Sequence, residues 1–137
     1  MAAVLDCSVA LAWGLPDEAS PRADRLLARL FGEPVWVPAL WWHEMVNALT
    51  VAHRRHRVPA SEVMRLLDLY GGLPIQTDAL ATSDAARRVH LLAQEHGLSG
   101  YDAAYIELAQ RRALELATLD RRLAAAARRA GVQPLRL

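Results

Sequence analysis

Along this chain, short apolar runs are followed repeatedly by longer stretches in which apolar side chains recur every three or four positions. Val4-Leu5 belongs to the first run, which ends at Asp6. Ser8 then reads as the cap of a helix reaching about Leu15, where Pro16 stops it. Ser20-Pro21 supplies a cap and a first-turn proline for a helix carrying Leu26, Leu27 and Leu30, with Gly32 past its end. Val35-Trp36-Val37 is a second run, set between prolines. Pro38 opens a long helix to about His56, with Leu40, Val46, Leu49 and Ala52 among its apolar positions. Pro59-Ala60-Ser61 opens another, whose apolar face is Val63, Leu66, Leu67 and Tyr70, and Gly71-Gly72 closes it. Pro74 to Thr77 reads as a weak strand, and a helix from Thr82 or Ser83 runs to His96 and closes at Gly97. Then come a helix from Tyr101 to about Ala113, a strand at Leu116-Ala117-Thr118, a helix from Arg121 to Ala130, and a last strand at Val132 to Leu135.

Strands alternating with helices predict an α/β fold with a parallel sheet covered on both faces. The abundance of helix leaves an all-α bundle as the alternative. The 137 residues suit one domain, residues 1–137, and 53% apolar residues suffice for one sizeable core. No apolar run is long enough to cross a bilayer. The N-terminal stretch lacks a basic region and carries Asp6, so it does not read as a signal peptide. Cys7 has no partner for an internal disulfide, which favours a reducing, cytoplasmic location.

Net charge is only +1, so the whole-chain field does not announce a nucleic-acid binder. The distribution says more. All 16 basic residues are arginines, many in pairs: Arg54-Arg55, Arg87-Arg88, Arg111-Arg112, Arg121-Arg122 and Arg128-Arg129. Arginine grips phosphate with a bidentate fork, although a lysine-free chain rich in Ala, Arg and Leu also fits GC-rich coding. His53 to Arg57 closes a long helix and suits either the helix dipole or an RNA backbone. Trp13, Trp41 and Trp42 could stack on bases, but rings near an apolar helix face favour core packing or a partner groove. Together they are more apolar surface than so small a domain readily hides, which predicts a homodimer or a partner helix over part of them.

The acids carry the chemistry. Asp6 ends the first strand and Asp120 follows the Leu116-Thr118 strand. Ligands of a doubly wound sheet bind beyond the carboxyl ends of its strands, so both carboxylates would project into that crevice. Glu44, in the second turn of the helix after Val35-Val37, lies near the same edge. Asp102, in the first turn after the Gly97-Leu98-Ser99-Gly100 loop, can also reach it. Singly, each has a plainer reading: Asp6 as a turn residue, Glu44 as a solvated helix residue, Asp102 as a first-turn acid, Asp120 as a cap. Together, four converging carboxylates repel one another without a cation. An all-oxygen site suits Mg²⁺ or Mn²⁺, which can activate water for phosphodiester hydrolysis.

The segment VLDCSV resembles the opening strand and D-x-S motif of PIN domains. Glu44 within PALWWHEMVNAL, the segment LSGYDAAYIELA, and the closing ATLDRRLAAAA follow in the family's order, with the third most similar to VapC-type toxins. The resemblance implies a three-layer α/β/α sandwich and a metal-dependent endoribonuclease cleaving single-stranded or loop RNA. It implies that Asp6, Glu44, Asp102 and Asp120 hold Mg²⁺ or Mn²⁺, with Ser8 and Thr118 supporting by hydrogen bonds. A homodimer and a cognate antitoxin are implied as well. Rival readings are a catalytically silent RNA- or protein-binding module, a structure-specific DNA nuclease, and a phosphatase on another α/β fold. Asn47 stands where a zinc-protease H-E-x-x-H helix needs its second histidine, and Ser8 stands where an aspartyl-phosphate phosphatase needs its second aspartate.

Overall fold

In the computed structural model, which describes residues 2–30, 32–79 and 81–136, the apolar runs form one sheet. Its strands are Ala3–Leu5 (β1), Val35–Pro38 (β2), Ile75–Asp78 (β3) and Glu115–Ala117 (β4). All pairings are parallel, and the order is β3-β2-β1-β4. Val4 pairs with Trp36 on one side and with Leu116 on the other. Every residue of β1 is buried, as a central parallel strand covered on both faces requires. This sheet excludes the all-α alternative.

Helices α1 (Cys7–Gly14) and α2 (Pro21–Leu30) join β1 to β2, and α3 (Leu40–Arg54) and α4 (Ala60–Gly71) join β2 to β3. Helices α5 (Ser83–His96) and α6 (Gly100–Arg112) lead back to β4, which α7 (Arg121–Arg129) follows. The first two crossovers step outward from β1, and the third returns past it. Right-handed crossovers therefore put α1–α4 on one face and α5–α6 on the other, giving the three layers. The reversal creates a topological switch point between β1 and β4, and in open parallel sheets ligands bind beyond the strands' carboxyl ends at such a point.

Helix α3 buries Trp41, Met45, Leu49 and Ala52, a stripe spaced by four, four and three. This corrects the expected face: Leu40 is only partly buried and Val46 is 41% exposed. Of the tryptophans, Trp41 is packed in the core, wholly buried and edge-on to Trp42 and Tyr70. Trp13 and Trp42 are half-buried, their indole N–H groups donating to the Ala23 carbonyl and the Thr77 hydroxyl. Tyr70 of α4 is buried and donates to the Ala10 carbonyl (2.6 Å), stitching α4 to α1.

Three further expectations are adjusted. Pro38 ends β2 rather than opening α3. Helix α1 starts at Cys7, so Ser8 lies in its first turn and is not its cap. Among the described residues, Val132 to Leu135 makes only an isolated parallel bridge, Pro134 to Leu116, closed by the Gln133 carbonyl and the Leu135 N–H. The other caps follow the expected chemistry. Thr82 accepts from Ala85 N, and Ser99 from Asp102 N. Gly97 closes α5 in the left-handed region, at φ +64°.

An ionic network fastens α6 to the edge strand. Buried Asp78, the last residue of β3, accepts from Arg111 (2.6 Å) and Arg112 (3.0 Å). Arg111 also reaches buried Glu107 (2.8 Å), which Arg88 of α5 bonds at 3.2 Å. Arg112 lies over the Trp36 ring, 3.5 Å from its centroid.

Candidate active site

The crevice at the switch point is built on Asp6. Its N–H donates to the Ala117 carbonyl (2.9 Å), tying the end of β1 to β4. Its carboxylate is buried, and one oxygen, Oδ2, accepts from both Ser8 Oγ and Thr118 Oγ1 at 2.7 Å. Neither hydroxyl is free to rotate away. Ser8 Oγ accepts from Leu119 N (3.1 Å) and Thr118 Oγ1 from Asp120 N (3.0 Å), so each must turn its own hydrogen toward Asp6. Among the described residues Oδ1 has no hydrogen-bond partner.

Glu44 is half-buried on α3, and its Oε1 accepts from the Tyr105 hydroxyl at 2.6 Å. Tyr105 is wholly buried, one turn beyond Asp102 on α6. Burial pushes the Tyr105 hydroxyl well above its ordinary value, and its bond to Glu44 adds to the shift, so it acts as a donor. Asp102 is half-buried in the first turn of α6, where Ser99 has already capped the helix, so its carboxylate is not consumed as a cap. Asp120 does both jobs. It stands at the crevice, and its Oδ1 caps α7 by accepting from Arg122 N (2.9 Å) and Leu123 N (3.2 Å).

The acids feel one another. Burial raises the Glu44 carboxyl; the Tyr105 bond opposes this, and the charges of Asp6 and Asp102 add to the rise. Burial likewise raises Asp102, and Asp6 and Asp120 raise it further against Arg122. The four sequence-predicted acids thus share one field. Among the described residues, no three His, Cys, Asp or Glu side chains are drawn tightly enough together to hold a metal as they stand. Such a cage is not required for Mg²⁺, which commonly takes one or two carboxylates and keeps several waters. The donor set, all oxygen, with one oxygen of Asp6 engaged by hydroxyls and one left open, fits that ion. Cys7 is buried, and burial with the Glu44 and Asp6 charges raises its thiol well above its ordinary value, which disfavours the thiolate.

Sequence reasoning missed Tyr105. The signal was its place three residues after Asp102, on the same helix face, but its target lies 61 positions away.

A parallel sheet ordered 3-2-1-4, with acids clustered at its switch point, defines a class of α/β proteins, and comparison places the chain within it. The PIN domain family model matches residues 3–129, and the chain belongs to that family. It is 31% identical over 128 residues to Ribonuclease VapC3 of Pyrobaculum aerophilum, spanning 90% of this chain and 93% of that one. Its fold is similar to a toxin-antitoxin complex from Klebsiella pneumoniae, at 22% identity, a TM-score of 0.64 and 90% of each chain. It is also similar to Mycobacterium tuberculosis VapC20, described as a sarcin-ricin loop cleaving toxin, at 16% identity and a TM-score of 0.68 over the whole of both chains.

Proposed function

We propose that this single PIN domain is a metal-dependent endoribonuclease that hydrolyses single-stranded or loop RNA, and that it is the toxin of a toxin–antitoxin pair. The observation that carries the reading is the convergence of Asp6, Glu44, Asp102 and Asp120, from four separate elements, on one switch-point crevice where Glu44 and Asp102 each feel the charge of Asp6. Kinship with a protein named as a ribonuclease supports the choice of polymer.

The four acids would hold Mg²⁺ or Mn²⁺. When bound, such an ion supplies an acidified water and offsets charge on the phosphoryl group. The chain's own work is positioning. Ser8 and Thr118 hold one oxygen of Asp6 and leave the other without a partner among the described residues. Tyr105 does the same for Glu44. Asp102 enters from a helix already capped by Ser99. A cognate antitoxin, a homodimer and a cytoplasmic setting complete the proposal. Among the described residues no helix is long and apolar enough to cross a membrane.

The test is cleavage of a single-stranded RNA. Activity should require Mg²⁺ or Mn²⁺ and vanish with chelator. Asp6→Asn and Asp102→Asn should each lower it by roughly 10²–10⁴, equivalent to about 3–5 kcal/mol of barrier, with the circular dichroism of the fold retained. Turnover of either variant at the parent's rate would reject the site.

A further inference from the structure

We infer that Arg22, Arg121 and Arg128 form a phosphate-binding subsite beside the acids, which holds the backbone of the RNA strand next to the bond being cut. The inference rests on the ribonuclease reading and deepens it. A cavity of about 420 Å³ is lined by these three arginines together with Thr118, Leu119 and Asp120. It adjoins the candidate active site, because two residues of its lining touch that site: Thr118 bonds Asp6, and the charge of Asp120 raises Asp102.

What singles these arginines out is that three unpaired guanidinium groups line one cavity beside the acids. Several others are spent on the chain itself. Arg57 is taken by Asp17, Arg65 by Glu62, Arg88 by Glu107, and Arg111 and Arg112 by Asp78. Arg29 and Arg122 bond backbone carbonyls. Among the described residues, Arg22, Arg121 and Arg128 make no ion pair and no side-chain hydrogen bond, although Asp120 shares their cavity. Its Oδ1 is committed to the cap of α7. Three cations around one concavity repel one another, and an anion with several oxygens relieves that repulsion through bidentate bonds.

Their placement suits a chain of phosphates more than a single anion. Arg121 and Arg128 are seven residues apart on α7, nearly two full turns, so they share a face and stand about 10 Å apart along the axis. A stacked strand carries a phosphate about every 3.4 Å, so that span covers about three of them. Arg121 adjoins Asp120, so the track starts at the acids and leads away along α7.

An unpaired doublet away from the cavity, Arg54-Arg55, closes α3. That helix starts at the crevice edge and carries Glu44 in its second turn, so Arg54 lies about 15 Å further along its axis, toward the opposite edge of the sheet. It provides a charge-matched control.

The experiment measures binding of a labelled single-stranded oligoribonucleotide by fluorescence anisotropy, with chelator present, across a salt series. Arg121→Gln/Arg128→Gln should weaken binding at least tenfold at low salt. It should also flatten the plot of log affinity against log salt by about 1.4, at about 0.7 per lost single-strand contact. Adding Arg22→Gln should flatten it further. Arg54→Gln/Arg55→Gln, with equal loss of charge, should leave both quantities near those of the parent. Equal losses from the two doublets, or none from the α7 pair, would overturn the subsite. A separate assay of RNA cleavage by the parent with Mg²⁺ keeps the readings apart. If the parent cleaves and the α7 doublet binds normally, only the subsite falls. If the parent binds through α7 but cuts nothing, only the ribonuclease reading falls.

Discussion

Helix α6 carries two groups of carboxylate partners that behave in opposite ways. At its start, Asp102 and Tyr105 face the crevice, where burial and the neighbouring acids raise the carboxyls of Asp102 and Glu44. Toward its end, Glu107, Arg111 and Arg112 meet Asp78, and the Arg111 hydrogen bond holds the Asp78 carboxyl below its ordinary value. Both regions are partly or wholly buried. The difference is whether a guanidinium is bonded to the acid. Where arginine is bonded, a buried acid becomes a clamp between strand and helix. Where it is not, nearby Arg122 only opposes part of the rise at Asp102, and the acids keep a mutual repulsion that a cation can relieve. One helix thereby anchors the edge of the sheet and carries part of the candidate site.

The clamp is the place to break this comparison most strongly. Asp78→Ala removes the partner of Arg111 and Arg112 at once. Arg111 keeps Glu107, and Arg112 keeps Trp36 and some contact with solvent, so the cost should fall short of that for a fully buried pair. About 2 kcal/mol is expected, a fall in Tm of roughly 6–10 °C for a chain of this size. Cleavage at 25 °C should change much less than in Asp6→Asn. A melting curve matching the parent's would show that the network does not act as a clamp.

Tyr105→Phe sharpens the other half. The ring stays buried and only the hydroxyl on Glu44 Oε1 is lost. If Tyr105 positions Glu44 for a cation, the Mn²⁺ dissociation constant, followed by electron paramagnetic resonance, should rise about tenfold. A packing role alone would leave that constant unmoved, whatever happened to Tm.

Much of this was legible in the sequence, and the limits have physical causes. Periodicity and punctuation located the helices and four strands, because caps such as Ser20 and Asp120 and stops such as Gly97 act within a few residues of themselves. The four acids were legible because each stands at the end of an element or within its first two turns, and topology brings such ends to one edge. Tyr105 on Glu44 and Arg111 on Asp78 were not, since nothing local distinguishes a tyrosine bonded across 61 positions, or an arginine bonded across 33, from one in solvent. For the tryptophans the sequence left core packing and a partner groove open, and the stripe of Trp41, Met45, Leu49 and Ala52 is what puts Trp41 in the core.

The smallest expected effect is one of pH, and its sign separates the two regions. In metal-free protein the folded carboxyls of Glu44 and Asp102 lie above their ordinary values of 4.5 and 3.8. A group raised on folding contributes stability that is fully present below its unfolded value and is lost as pH rises through the folded one. Near neutral pH the site therefore works against the fold, and acidification through the raised values toward about 4 should relieve it. Asp78 has the opposite sign. Its folded value lies below 3.8, so its contribution stays intact through that window and is lost only at lower pH. Asp102→Asn removes the site term while leaving Asp78 and every histidine in place, so subtracting the two melting curves isolates the term. Without metal the variant should melt above the parent at pH 7, and the gap should shrink steadily toward pH 4. Saturating Mn²⁺ should reverse the order at pH 7, because only the parent has its full set of acids to bind it. A gap that is constant with pH would mean that Asp102 is solvated like any surface acid, and the contrast between the two ends of α6 would lose its electrostatic basis.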